Sequence, residues 1–103
     1  MTCQLKITPE AESDIFAIAA NIKQQIGLSA AKHAVAEFKK QLDRLSEFPG
    51  SGRAGGCEGT WEVVMTGLPY IIIYEYSESL LTIVRVLYGA EERRLTKREE
   101  TIL

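Results

Sequence analysis

Apolar and polar residues alternate in three different rhythms along this chain, and each rhythm marks a separate piece of structure. Gln4 to Ile7 places Leu5 and Ile7 on one side and Lys6 on the other, the period-2 pattern of a short strand. Thr8-Pro9-Glu10 then starts a helix: Thr8 caps it, Pro9 takes the first helical position, and Glu10, Glu12 and Asp14 lie near the positive end of its dipole. Ile15, Ile18, Ala19, Ile22 and Ile26 follow at helical spacing, and Gly27 is the stop. A second helix, capped by Ser29, carries the stripe Ala31, Ala34, Val35, Phe38, Leu42 and Leu45 and ends at Pro49-Gly50. So short a break between two helices makes them antiparallel neighbours.

Residues 50–59 contain five glycines, with Arg53 among them. Such a loop can approach another backbone closely. Three strands are predicted beyond it: Trp61 to Thr66, Tyr70 to Tyr76 and Leu80 to Tyr88. Their connections, Gly67-Leu68-Pro69 and Ser77-Glu78-Ser79, are hairpin-sized, so the strands form an antiparallel meander. Trp61, Val63 and Met65 share one face, while Tyr70–Tyr76 is apolar on both, as a central strand should be. The tail from Glu91 to Leu103 mixes acids and bases and reads as a weak helix or a frayed end. The expected fold is α+β, ordered β-αα-βββ, with a helical hairpin packed on one face of a small sheet. The opposite face would then keep apolar groups that suit a partner.

Length changes this picture little: 103 residues make a single domain, 1–103, with one core. A net charge of −2 and a pI near 5.4 give no global field toward nucleic acid. Cys3 and Cys57 lie far apart and the chain has one histidine, His33, so no metal-ligand spacing exists and no metal or other cofactor is expected. Two free thiols, no signal-like start and no apolar run long enough to span a bilayer predict a cytoplasmic protein without membrane contact.

With these parts in order, the chain resembles the RelE/ParE superfamily of toxins from bacterial type II toxin–antitoxin modules, on its ParE-like side. The resemblance covers nearly the whole length. It is carried by ITPEAESDI at the first helix start, the FPGSGR turn, GTWEVVMTGLPYIIIYEY and the closing IVRVLYGAEER. It implies a toxin silenced by a small cognate antitoxin that folds onto its surface. It also implies one of two activities: RelE-like members cut mRNA on the ribosome, and ParE-like members bind DNA gyrase and block its cycle.

The side chains favour the second. A metal-free ribonuclease must neutralise phosphate, promote 2′-hydroxyl attack and stabilise the leaving group. Between Gly59 and Ala90 there is one cation, Arg85, against three acids, Glu62, Glu75 and Glu78. That balance repels a polyanion. Where the family often has arginine, after Gly59-Thr60, this chain has Trp61; where some relatives keep histidine, it has Tyr88. Arg53, Trp61, Arg85 and Tyr88 are the candidate target- or partner-binding residues, and Arg53, Arg85 and Tyr88 would be the reduced catalytic set of a nuclease. Arg85 alternatively pairs with Glu62 or Glu75 in a structural role. Tyr70, Tyr74 and Tyr76 share a face and offer stacking surfaces, but no cations accompany them. Lys32, Lys39, Lys40 and Arg44 give the second helix a basic side suited to an acidic antitoxin segment, although Glu37 and Asp43 interrupt it. A third reading is a non-toxic relic that only binds antitoxin.

Overall fold

The computed structural model describes residues 3–56, 59–65 and 67–88. Strand β1 (Gln4–Ile7) leads into helix α1 (Pro9–Gln25) and helix α2 (Leu28–Glu47), followed by a 3-10 turn at Pro49–Ser51. Four strands complete the chain: β2 (Arg53–Ala54), β3 (Trp61–Val64), β4 (Tyr70–Ser77) and β5 (Leu80–Tyr88). They form one five-stranded sheet in the order β1-β5-β4-β3-β2. The expected meander is β3-β4-β5, antiparallel throughout. Two features enlarge it. Strand β1 joins β5 in parallel, and the glycine-rich loop contributes the two-residue β2.

Thr8 starts α1 as its sequence implies, its Oγ1 accepting from Ala11 N at 3.1 Å. Helix α2, in contrast, begins at Leu28, one residue before the expected Ser29 cap. Gly27 takes the capping position at φ +141°, where a side chain is strained, and with Ile26 makes the turn between the helices. Its N–H also donates to Ile22 O at 3.1 Å, so one glycine ends α1 and opens α2.

Ala11, Phe38, Leu42 and Leu45 of the helices pack on Met65, Ile72, Tyr74, Leu81, Ile83 and Val86 of the sheet. Tyr70, Ile72, Tyr74 and Tyr76 alternate onto this helix-facing side. The tyrosines are therefore core and turn residues rather than a stacking platform: Tyr74 is fully buried. Val35, expected in the buried stripe of α2, is 45% exposed because it lies on the flank of α2 that faces the outer hairpin groove. The opposite sheet face carries Val64, Ile71 and Leu87 in one cross-strand row and Arg53, Glu62, Ile73 and Arg85 in the next. Among the described residues no helix is long and apolar enough to cross a membrane, and no three His, Cys, Asp or Glu side chains gather as metal ligands. The tail from Glu91 lies outside the described residues.

Candidate functional site

The four candidate contact residues are held by two separate devices at different parts of the sheet. At the β2 edge, Tyr74 fixes the glycine-rich loop. Its hydroxyl donates to Pro49 O at 2.8 Å and accepts from Gly52 N at 3.0 Å. Gly52 is required here, since a Cβ would lie 2.7 Å from Glu62 O and collide with the Tyr74 hydroxyl. Burial, reinforced by neighbouring Tyr76, raises the Tyr74 pKa, and the Gly52 N–H opposes that shift. The phenol therefore stays neutral and can donate to Pro49. The loop so anchored places Arg53 opposite Glu62, and its Nε donates to Glu62 Oε1 at 2.9 Å. Beside it Trp61 packs on Tyr76, ring centroids 5.4 Å apart.

At the other edge, β1 ends at Ile7 while β5 runs on to Tyr88, which leaves half of β5 without a strand neighbour on the side away from β4. Side chains of the chain's own helix start fill that gap. Thr8 N donates to Ile83 O at 3.0 Å, and Thr8 Oγ1 to Val84 O at 2.9 Å. Asp14 Oδ2 accepts from Val86 N at 3.0 Å and from Arg85 Nε at 2.7 Å, while Oδ1 accepts from Arg85 Nη2 at 3.0 Å. Asp14 is thus a substitute for the missing strand and the counter-ion of Arg85. The expected pairing of Arg85 with Glu62 or Glu75 is replaced for that reason: Glu62 is taken by Arg53, and α1 brings a carboxylate to the open edge of β5.

Tyr88 sits at the far end of β5 on the helix-facing side, opposite Tyr70, their rings edge-on at 6.1 Å. Burial, then the nearby Tyr88 phenol, raises the Tyr70 pKa. A cleft of about 340 Å³ opens there between Asp14 and Asn21 of α1 and Tyr70, Leu87 and Tyr88 of the sheet. Its described lining includes an acid and no cation.

These residues do not converge. Arg53 and Arg85 lie in one cross-strand row but three strand spacings apart, roughly 14 Å. Trp61 and Tyr88 pair with Tyr74 and Tyr70, four positions apart on β4, so they are separated by roughly 13 Å along the strand alone.

The basic side of α2 also divides. Lys32 and Lys39 fall within about 20° of each other around the helix, next to Val35. Lys32 borders a groove of about 410 Å³ on the outside of the helical hairpin. Lys40 and Arg44 are turned roughly 80–120° from Lys32, around a cleft of about 290 Å³ beside Glu37, Gln41 and Met65, where Lys40 bonds Glu37 at 3.4 Å. Phe16, Ala19, Ala20, Leu28, Ala31 and Val35 make the hairpin groove apolar. Phe16 is 67% exposed. It escaped the sequence reading because it lies off the inward stripe of α1; an aromatic on the solvent side of a helix was the available signal.

Known proteins match this arrangement. The model of the family described as ParE toxin of the type II toxin–antitoxin system parDE covers residues 5–93. "Putative toxin Y4kP" of Sinorhizobium fredii is 40% identical over 63 residues, which are 61% of this chain and 65% of that protein, so the match spans less than two thirds of that relative. Among solved structures, a chromosomal ParDE system from P. aeruginosa superposes with a TM-score of 0.75 at 24% identity, covering 82% of this chain and 94% of that one. The toxin–antitoxin complex RelBE2 from Mycobacterium tuberculosis gives a TM-score of 0.58 at 22% identity, covering 85% of this chain and 99% of that one. At these identities the structures speak for the fold, and the family model speaks for kinship. The chain belongs to the ParE toxin family of type II toxin–antitoxin systems, within the RelE/ParE superfamily.

Proposed function

We propose that this toxin acts by gripping another protein, with DNA gyrase as the target, and that a cognate antitoxin neutralises it. One observation carries the choice: the described arginines of the sheet are spread out and each pairs with a carboxylate, Arg53 with Glu62 and Arg85 with Asp14, while the third sheet cation, Lys6, lies on the edge strand β1. A scissile phosphate needs cations clustered around the acid–base group. The cleft at Tyr88 instead has Asp14 in its wall. Arg53, exposed at a firmly anchored loop, and half-buried Trp61 on the adjacent strand suit an interface better, since arginine and tryptophan are frequent binding hot spots. The test is a gyrase supercoiling assay beside a ribosome-dependent mRNA cleavage assay. Inhibited supercoiling with accumulated cleaved DNA supports this reading. No effect on gyrase at high excess, with mRNA cut on the ribosome, replaces it with the RelE-like nuclease reading, whose catalytic residues would be Arg53, Arg85 and Tyr88. Absence of growth arrest on induced expression points to the non-toxic relic.

For the antitoxin, the hairpin groove supplies an apolar trough bordered by Lys23 and Lys32, the chemistry an amphipathic helix with acidic flanks would fill. Lys39, Lys40 and Arg44 extend positive charge across α2, and the short outer strands β1 and β2 offer edges for strand addition. Amide exchange with and without antitoxin tests this docking. Slower exchange in α1 and α2 is the expected result, and unchanged exchange there rules out the groove.

A further inference from the structure

The outward stripe of α1 is complementary to itself. Pro9, Glu12, Phe16, Ala19 and Lys23 fall within an arc of about 80° on the outer side of the helix, and Ile26, the residue just past its end, continues the stripe. Written in order they are apolar, acidic, aromatic, small, basic, apolar. Reversing the helix and crossing it over the original midway between Phe16 and Ala19 sets Pro9 against Ile26, Glu12 against Lys23 and Phe16 against Ala19, each twice. That is the requirement of an isologous twofold interface.

We propose that, in the absence of antitoxin, two copies of this toxin dimerise by antiparallel packing of α1 on α1. Ile26 is 76% exposed, and Phe16 projects beside the apolar groove. The groove floor at Ala19 and Ala20 has no bulk, so it receives Phe16 of the second copy and lets the helix axes approach to about 8–10 Å. The charges then decide the orientation. Neither Glu12 nor Lys23 has an ion-pair partner among the described residues. In the antiparallel crossing Glu12 of the second copy meets Lys23, with Lys32 on the same rim of the groove. A parallel crossing would stack Glu12 on Glu12 and Lys23 on Lys23. The dimer covers the surface assigned above to the antitoxin, so the two associations compete. The pairing itself rests only on α1 and not on the gyrase reading.

Sedimentation equilibrium of the purified toxin alone tests this, over a series from roughly 1 to roughly 100 µM, the range in which a small isologous interface assembles. The wild type should fit a monomer–dimer equilibrium. Glu12→Lys and Lys23→Glu should each raise the dissociation constant at least about tenfold, because each places two like-charge contacts in the interface. The double variant Glu12→Lys/Lys23→Glu restores both pairs with reversed sign and should return to within about threefold of wild type. Phe16→Ser should be monomeric with an unchanged circular dichroism spectrum. A wild type that stays monomeric at every concentration overturns the proposal and leaves the groove to the antitoxin alone. Single reversals without effect, or a double variant no tighter than the singles, also overturn it.

Discussion

Arg53 and Arg85 stand in the same row of the sheet and both pair with a carboxylate, yet the two pairs do different work. Arg53 is 52% exposed and makes one bond to Glu62 on the adjacent strand. Arg85, 44% exposed, is held by both oxygens of Asp14, which also accepts a backbone N–H of β5. The first pair joins neighbours nine positions apart; the second joins residues 71 apart and fastens a helix to a strand edge. Exposed single-bond pairs contribute little, whereas a carboxylate that satisfies a backbone donor leaves an orphan when removed. An ion pair's importance therefore depends on what else its carboxylate is holding.

Several changes would break or sharpen that contrast. The largest effect belongs to the loop under Arg53 rather than to its charge. Gly52→Ala should destabilise the fold by about 3 kcal/mol in urea denaturation, since the new methyl group meets Tyr74 and the Glu62 carbonyl. Asp14→Ala should cost about 2 kcal/mol by the same measurement, with Asp14→Asn costing less because the amide oxygen can still accept from Val86 N. Tyr74→Phe should cost about 1.5 kcal/mol by orphaning the Gly52 N–H and Pro49 carbonyl. Arg53→Ala should change stability by less than about 0.5 kcal/mol while lowering affinity for the target. If Arg53→Ala proves as damaging as Asp14→Ala, the distinction drawn between the pairs fails.

The smallest effect is in alkali. Tyr70 and Tyr74 have pKa values raised above the unfolded value, so folding favours their protonated forms. Their contribution is complete below about pH 10 and is lost as pH rises through the folded values. Denaturation midpoints in a pH series should fall above that point, and less steeply in Tyr70→Phe.

Local pattern revealed most of the elements because their causes are local. Leu80–Tyr88 is an apolar, β-branched run after a turn, and the observed strand has those limits, although a bulge at Val84 breaks its alternation. Thr8-Pro9 announces α1 by side-chain chemistry that acts within one turn. The rest depended on distant partners. Strand β2 depends on Tyr74, 22 positions beyond Gly52, which pins the loop beside Glu62's strand, and on the Gly55–Thr60 backbone bond that closes it. The carboxylate partner of Arg85 could not be read from strand alternation, which offers only Glu62 and Glu75. It comes from α1, because β1 stops short of the end of β5. The four basic residues of α2 look like one patch in sequence, but a 100° step per residue sends them to two flanks.

The parallel union of β1 with β5 also sets a schedule for biosynthesis. Residues at the start of the chain find their partners about 76 positions later. While the ribosome is still making β4, the helical hairpin can form, but β1 has nothing to bind and Thr8 and Asp14 have no strand to seal. A growing or truncated polypeptide lacking β5 therefore cannot present the finished sheet. Closure of the sheet therefore waits until β5 has been made.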